Sequence, residues 1–135
     1  MAAEATELLG RVPLFSGLDP RELETISRTV HERTFKAGDI VAEEGQGGVG
    51  FFVIKAGEAK VTVGGDEVRR LGPGDYFGEI ALISEGSRTA TVTAESELQC
   101  YGLTPWEFRP LVQTNAGIAW KILQALAKQV DSQRH

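Results

Sequence analysis

Residues 74–92, with the sequence GDYFGEIALISEGSRTATV, constrain this chain more than any other stretch. Gly78 has no Cβ, so the backbone there can approach a ligand closely. A short helix predicted at residues 79–83 would direct unpaired N–H groups and the positive end of its dipole toward an anion, and Arg88 can fold back to offer a planar fork to phosphate oxygens. Glu79 would repel a phosphate, so it is explained only if the ligand also carries hydroxyl donors, as a sugar does. The stretch therefore predicts a nucleotide site.

Two blocks of this stretch, FGEIAL at residues 77–82 and RTATV at residues 88–92, resemble the phosphate-binding cassette of cyclic nucleotide-binding domains. Those domains form the sensor part of bacterial catabolite-activator-type regulators, cyclic-nucleotide-dependent kinases and cyclic-nucleotide-gated channels. The resemblance implies that the ligand is cAMP or cGMP and that no cofactor is required.

The resemblance also implies roles for single residues of the cassette. Arg88 would pair with the exocyclic oxygens of the cyclic phosphate, and Glu79 would accept a hydrogen bond from the ribose 2′-hydroxyl. Thr89 occupies a position where threonine is associated with cGMP preference, but threonine also occurs there in sites that respond to cAMP, so both nucleotides stay open. The backbone N–H groups that face the phosphate and ribose would come from Gly78, Ile80, Ala81 and Ala90.

The base of the nucleotide is expected to lie between apolar side chains of the barrel, and the candidates are Val61, Val63 and Leu71. Family members often place a C-terminal helix over the base, sometimes with a stacked aromatic ring, and Trp120 is the candidate for that lid. Trp120 could instead lie at a dimer interface, or pack on the barrel or on the preceding helix. The cassette residues expected to face the core without touching the ligand are Phe77, Leu82 and Ile83.

Between residues 34 and 103 the sequence consists of short β segments punctuated by glycine. The pair Gly64-Gly65 between two of these segments predicts a hairpin. Residues 38–39 and 74–75 are both Gly-Asp, which indicates either two equivalent corners of a β-roll or merely a common turn dipeptide. We therefore predict an α+β fold in which an antiparallel β-roll, a jelly-roll-like barrel, is flanked by N-terminal helices and two C-terminal helices.

Helix signals flank the β segments on both sides. Asp19 followed by Pro20 and Glu22 combines an N-cap, a proline at the first helical position and a capping-box glutamate, and Thr104-Pro105 begins another helix in the same way. The last helix, residues 116–130, is expected to bury one apolar stripe, which comprises Ile118, Ala119, Ile122, Leu123, Leu126 and Val130. Residues 1–135 are predicted to form one domain, with N-terminal helices at 1–32, the β-roll at 33–103 and C-terminal helices at 104–130.

Composition argues against several classes of protein. A formal net charge of −5 provides no basic surface for direct nucleic-acid binding. Cys100 is the single cysteine, which excludes an intrachain disulfide and favours the cytoplasm. No apolar run approaches the roughly 18 residues of a membrane span. His31 and His135 are too far apart to indicate a metal site, so a cupin-type enzyme, which shares a small β-barrel but needs clustered histidines, is not expected.

These features predict a regulatory sensor without catalytic activity. Binding of the cyclic nucleotide would draw the cassette inward and shift the C-terminal helix between two packings, and that movement would be read by an unidentified effector protein or domain. Alternatively, the chain is the ligand-sensing fragment of a larger catabolite-activator-type transcription regulator, kinase or channel, because it stops where a DNA-binding domain of roughly 60 to 70 residues would begin. We expect a monomer or weak dimer.

Overall fold

The computed structural model describes residues 2–45, 50–84 and 90–133, with side chains from residue 4 to residue 132. The helices are α1 (Ala2–Gly10), α2 (Pro20–Ser27), α3 (Pro105–Thr114) and α4 (Ala116–Gln133), and two 3-10 turns are η1 (Pro13–Phe15) and η2 (Ile80–Leu82). The strands are β1 (His31–Phe35), β2 (Ile40–Ala42), β3 (Phe51–Ala56), β4 (Ala59–Val63), β5 (Asp66–Leu71), β6 (Tyr76–Phe77), β7 (Thr91–Ala94) and β8 (Leu98–Leu103).

The strands form two four-stranded sheets in the orders β1-β8-β3-β6 and β2-β7-β4-β5. Every pair of neighbouring strands is antiparallel, so the predicted α+β fold with an antiparallel β-roll is confirmed. The chain divides into two compact units, His31–Pro105 with the strands and Met1–Val30 with Trp106–His135, which carries the helices. The assignment of residues 1–135 to one domain stays a prediction.

The β unit is held together by an apolar core between its sheets. Phe52, Ile54 and Leu98 are each no more than 2% exposed, and burial of such side chains stabilises a fold by about 1.5–3 kcal/mol each. The buried members of this core are Val41, Ala42, Phe52, Ile54, Ala59, Leu71, Val92, Ala94, Leu98 and Cys100. Among the described strands, β6 pairs with β3 alone and lies at the edge of its sheet, so the chain that follows Phe77 leaves the sheet at that edge.

The two Gly-Asp dipeptides form turns of the same geometry. Gly38 and Gly74 have φ angles of 93° and 89°, which are accessible to glycine without a steric cost. The Asp39 carboxylate accepts a hydrogen bond from the Lys36 N–H at 2.8 Å, and the Asp75 carboxylate accepts one from the Gly72 N–H, also at 2.8 Å. The interpretation of these dipeptides as equivalent corners of the β-roll is therefore supported by matching hydrogen bonds.

The helical unit contains the capping box predicted at the start of α2. The Glu22 N–H donates to Asp19 Oδ1 at 2.8 Å, and the Asp19 N–H donates to Glu22 Oε1 at 2.9 Å. Glu22 Oε1 also accepts a hydrogen bond from Lys121 Nζ of α4 at 2.7 Å. One carboxylate thus satisfies a free backbone donor of α2 and ties α2 to α4.

The apolar stripe predicted for α4 is only partly correct. Ile118 and Ile122 are buried as expected, together with Ala125, whereas Leu123 and Val130 are each 56% exposed. Leu123 is exposed because it lies about 100° around the helix axis from the buried Ile122. The helix has a second, exposed apolar sector, which comprises Trp120, Leu123 and Val130.

Candidate functional site

The β unit contains a cavity of about 580 Å³ that brings together most of the predicted site residues. Its wall is built from β4, β5, β6, η2, β7 and residues next to η2 and β7. The cassette residues that line it are Gly78, Glu79, Ile80, Ala81 and Ala90. These are all the described members of the predicted phosphate and ribose site.

The backbone of the cassette turns sharply at Gly78, which has a φ of 86°. A residue with a side chain is disfavoured at such a φ. Glycine is therefore needed here for the backbone conformation, in addition to letting a ligand approach the backbone closely. The following turn is bonded from the Ala81 N–H to the Gly78 carbonyl at 3.0 Å and from the Leu82 N–H to the Glu79 carbonyl at 3.2 Å. The N–H groups of Glu79 and Ile80 therefore have no partner within the turn.

This turn differs from the helix predicted at residues 79–83. η2 spans only Ile80–Leu82, which is too short for the aligned peptide dipoles of a full helix to sum to a substantial charge. An anion at this site would consequently be held by individual N–H groups. The Ala81 N–H already donates to the Gly78 carbonyl. It would have to give up this hydrogen bond in order to donate to a phosphate.

Glu79 is half-buried and shares the cavity with Tyr76 and Arg69. Burial raises the pKa of the Tyr76 phenol, the negative charge of Glu79 raises it further, and the positive charge of Arg69 opposes this rise. The charges of Glu79 and Arg69 therefore both act on the Tyr76 phenol. A ligand in the cavity would meet a carboxylate, a phenol and a guanidinium within one polar region.

The other part of the cavity wall is apolar. Val61 and Leu71 line it as predicted, together with Val92. Val63 lies at the end of β4, is 43% exposed and is not among the lining residues. Two of the three side chains predicted to contact the base, Val61 and Leu71, therefore line the cavity.

Two lining residues on β5, Val68 and Arg69, were missed by the sequence analysis. Arg69 shares the strand face of Leu71 because it is two residues away, so the choice of Leu71 could have pointed to it. Val68 lines the cavity for a different reason. Val61 pairs with Arg69 and Thr62 pairs with Glu67, so Val68 is the extra residue of a β-bulge, which redirects its side chain.

The other sequence predictions concern Arg88, Thr89, Trp120 and the three cassette residues expected to face the core. Arg88 and Thr89 lie outside the described residues, although Ser84 and Ala90, on either side of residues 85–89, both line the cavity. Trp120 belongs to α4 and is 62% exposed. Of the three cassette residues expected to face the core, Leu82 is buried, Ile83 is 46% exposed and Phe77 contributes to the cavity wall. The expectation was therefore wrong for Ile83, which lies at the exposed end of the short turn.

Two further observations concern the residues that the structure describes. Among the described residues, no helix is long and apolar enough to cross a membrane. In the same part of the chain, no group of three or more histidine, cysteine, aspartate or glutamate side chains is arranged to hold a metal ion.

Comparisons with known proteins identify the class of domain that this site resembles. The family model described as cyclic nucleotide-binding domain matches residues 32–115. The chain is 38% identical over 101 residues to a cGMP-dependent protein kinase of Toxoplasma gondii, covering 75% of this chain and 10% of that protein. It is 36% identical over 125 residues to a cAMP-dependent protein kinase regulatory subunit of Blastocladiella emersonii, covering 89% of this chain and 31% of that protein. The chain thus spans at most about a third of these relatives.

A solved structure with a similar fold is the N-terminal domain of a transcriptional regulator from Streptomyces coelicolor A3(2). It superimposes with a TM-score of 0.85 at 28% sequence identity, covering 94% of this chain and 92% of that domain. The similarity therefore extends over nearly the full length of both chains.

Proposed function

Because this chain belongs to the cyclic nucleotide-binding domain family, we propose that its cavity binds cAMP or cGMP and that the domain acts as a regulatory sensor without catalytic activity. The observation that carries the proposal is the arrangement around Gly78. The N–H groups left free by η2, the Glu79 carboxylate and an apolar wall line a single cavity of about 580 Å³. That volume lies within the range of small-molecule sites.

Each part of a cyclic nucleotide has a suitable counterpart in this arrangement. The cyclic phosphate would accept hydrogen bonds from the Ile80 N–H and from Arg88, and the Ala90 N–H would add a further donor. Glu79 would accept from the ribose 2′-hydroxyl, which explains a carboxylate beside an anion site. The base would pack against Val61 and Leu71.

Arg69 favours guanine over adenine as the base. Arg69 is the cross-strand partner of Val61, so its side chain begins next to a residue that is proposed to contact the base. Guanine presents two acceptors, N7 and O6, that suit an arginine fork, whereas adenine presents one acceptor and one donor along the same edge. The family resemblance associates threonine at the position of Thr89 with cGMP preference, although threonine also occurs there in sites that respond to cAMP.

The role of Glu79 can be tested with a matched ligand. We expect Glu79→Ala to weaken binding of cAMP and cGMP by about 10- to 100-fold, the usual value of a hydrogen bond to a charged group. The wild type should bind a 2′-deoxy cyclic nucleotide more weakly than the parent nucleotide, by the same factor. Glu79→Ala should bind the 2′-deoxy ligand with the same affinity as the wild type does. Glu58→Ala, an exposed glutamate of the β unit that does not line the cavity, is the control. Additive losses for the deoxy ligand and Glu79→Ala in isothermal titration would disprove the contact.

Base selectivity is tested by the same titrations. Arg69→Gln and Thr89→Ala should each reduce the preference for cGMP over cAMP, with little effect on the affinity for cAMP. An equal loss for both nucleotides would indicate a role for these residues in general charge attraction or folding, and it would contradict their assignment to the base.

We further propose that nucleotide binding changes the position of α4 and that Trp120 contacts the base. With Trp106→Phe, Trp120 is the only remaining tryptophan, so its fluorescence reports its surroundings directly. Nucleotide should change the emission of Trp106→Phe and leave the emission of Trp120→Phe unchanged. A change in the emission of Trp120→Phe, with no change in that of Trp106→Phe, would contradict the contact between Trp120 and the base.

The output of the sensor is proposed to be an effector protein or domain that reads this movement. Whether the chain acts alone or within a longer regulator, kinase or channel follows from the length of the intact gene product. A monomer or weak dimer, and a cytoplasmic location, stay predictions. Light scattering of the wild type and of Leu123→Ser would measure any self-association through the exposed apolar sector of α4.

A further inference from the structure

The helical unit contains a second cavity, of about 440 Å³, lined by residues of η1, the turn that follows it and one face of α4. It shares no residue with the cavity of the β unit. Its polar lining residues are Ser16, Lys121, Gln124, Lys128, Gln129 and Ser132. The α4 members lie within a sector of roughly 140° when placed at about 100° per residue, so they share one helical face.

The charges of this cavity are unusual for a chain with a formal net charge of −5. Two lysines line it, and no carboxylate does. Lys121 is already compensated, because Nζ lies 2.7 Å from Glu22 Oε1 and 4.0 Å from Asp19 Oδ2. In the part of the chain that the structure describes, Lys128 forms no ion pair. The cavity therefore holds one uncompensated positive charge.

The rest of the lining matches a peptide backbone. The side-chain amides of Gln124 and Gln129 each offer both donors and an acceptor. The hydroxyls of Ser16 and Ser132 donate to the carbonyls of Pro13 and Lys128, so their oxygens are left as acceptors for N–H groups. A single small anion would use the lysine but few of these other groups.

The length of the cavity sets the size of the occupant. From Lys121 to Ser132 the helix rises roughly 16 Å at about 1.5 Å per residue. An extended chain advances about 3.3 Å per residue, so roughly five residues would lie along this face. We propose that the cavity binds an extended segment of a partner protein, about five residues long, with an acidic side chain that pairs with Lys128. This docking site goes beyond nucleotide binding and does not depend on it.

The test is an NMR titration of the full chain labelled with ¹⁵N. The probe is the blocked peptide acetyl-Ala-Glu-Ser-Glu-Ala-amide, and the control is the same peptide with glutamine in place of both glutamates. Amide signals of Gly17, Gln124 and Lys128 should shift with the acidic peptide and shift less with the control. Lys128→Gln should weaken binding about twofold to fivefold, the range for loss of an exposed ion pair, and Lys128→Glu should weaken it further.

Lys36→Gln is the matched control for charge, because Lys36 is an exposed lysine of the β unit that lines neither cavity. It should bind the peptide as the wild type does. The proposal is overturned if millimolar peptide shifts none of these signals, if Lys128→Gln binds equally well, or if the shifts occur instead around Gly78. Equal shifts with sodium phosphate alone would assign the cavity to small anions and would also overturn it.

Discussion

Gly78→Ala separates the role of the cassette turn in ligand binding from its role in folding. Gly78 has a φ of 86°, where an L-residue is disfavoured by about 1–2 kcal/mol. Rotation of φ would relieve this strain but would tilt the following N–H groups away from a phosphate. We expect the free energy of unfolding to fall by about 1–2 kcal/mol. Affinity for the cyclic nucleotide should fall about tenfold or more, the value of one hydrogen bond to a charged group.

Gly38→Ala is the matched control for backbone strain. Gly38 has a φ of 93° and nothing within 4 Å of an added Cβ, and it does not line the nucleotide cavity. We therefore expect Gly38→Ala to lower the free energy of unfolding by a similar amount and to leave the affinity for the cyclic nucleotide unchanged. Urea denaturation measures the first quantity and isothermal titration measures the second. Wild-type affinity for Gly78→Ala, or an equal loss for Gly38→Ala, would refute the reasoning.

Four further predictions concern folding. Asp19→Ala should lower the free energy of unfolding by about 1 kcal/mol in thermal denaturation, because it removes an N-cap, and no loss would argue against the capping box. The hydrogen bond from Lys121 lowers the pKa of Glu22 from its usual 4.5. The contribution of this hydrogen bond to stability is complete above pH 4.5 and is lost as the pH falls through the lowered pKa of Glu22 in the folded state. The free energy of unfolding of the wild type should therefore fall more steeply in acid than that of Glu22→Gln. Leu98→Ala, fully buried, should cost about 2–5 kcal/mol in urea denaturation. Leu123→Ser, 56% exposed, should change stability by less than about 0.5 kcal/mol.

Local signals in the sequence were sufficient for the capping box and the β-roll. Asp19 and Glu22 identify the start of α2 because both hydrogen bonds form within one turn of chain. The Gly-Asp corners at Gly38 and Gly74 depend on a φ that few residues other than glycine adopt readily. The positions of Gly78 and Glu79 in one cavity follow from the same short-range geometry.

Other features depend on packing and could not be predicted in this way. The bulge at Val68 arises from the pairing of β5 with β4, and no residue in that stretch marks it. Leu123 and Val130 are as apolar as Ile122, so the sequence does not say which sector of α4 is covered. The short η2 turn likewise resembles the start of a longer helix in sequence.

Isothermal titration of the wild type and Arg88→Ala with cAMP and with cGMP tests the central claim most directly. We predict that the wild type binds at least one of these nucleotides, with cGMP preferred, and that Arg88→Ala loses about a hundredfold or more in affinity, because a phosphate in the cavity would lose a charge-assisted partner. Absence of binding by the wild type to both nucleotides, or equal affinity of Arg88→Ala, would contradict the account.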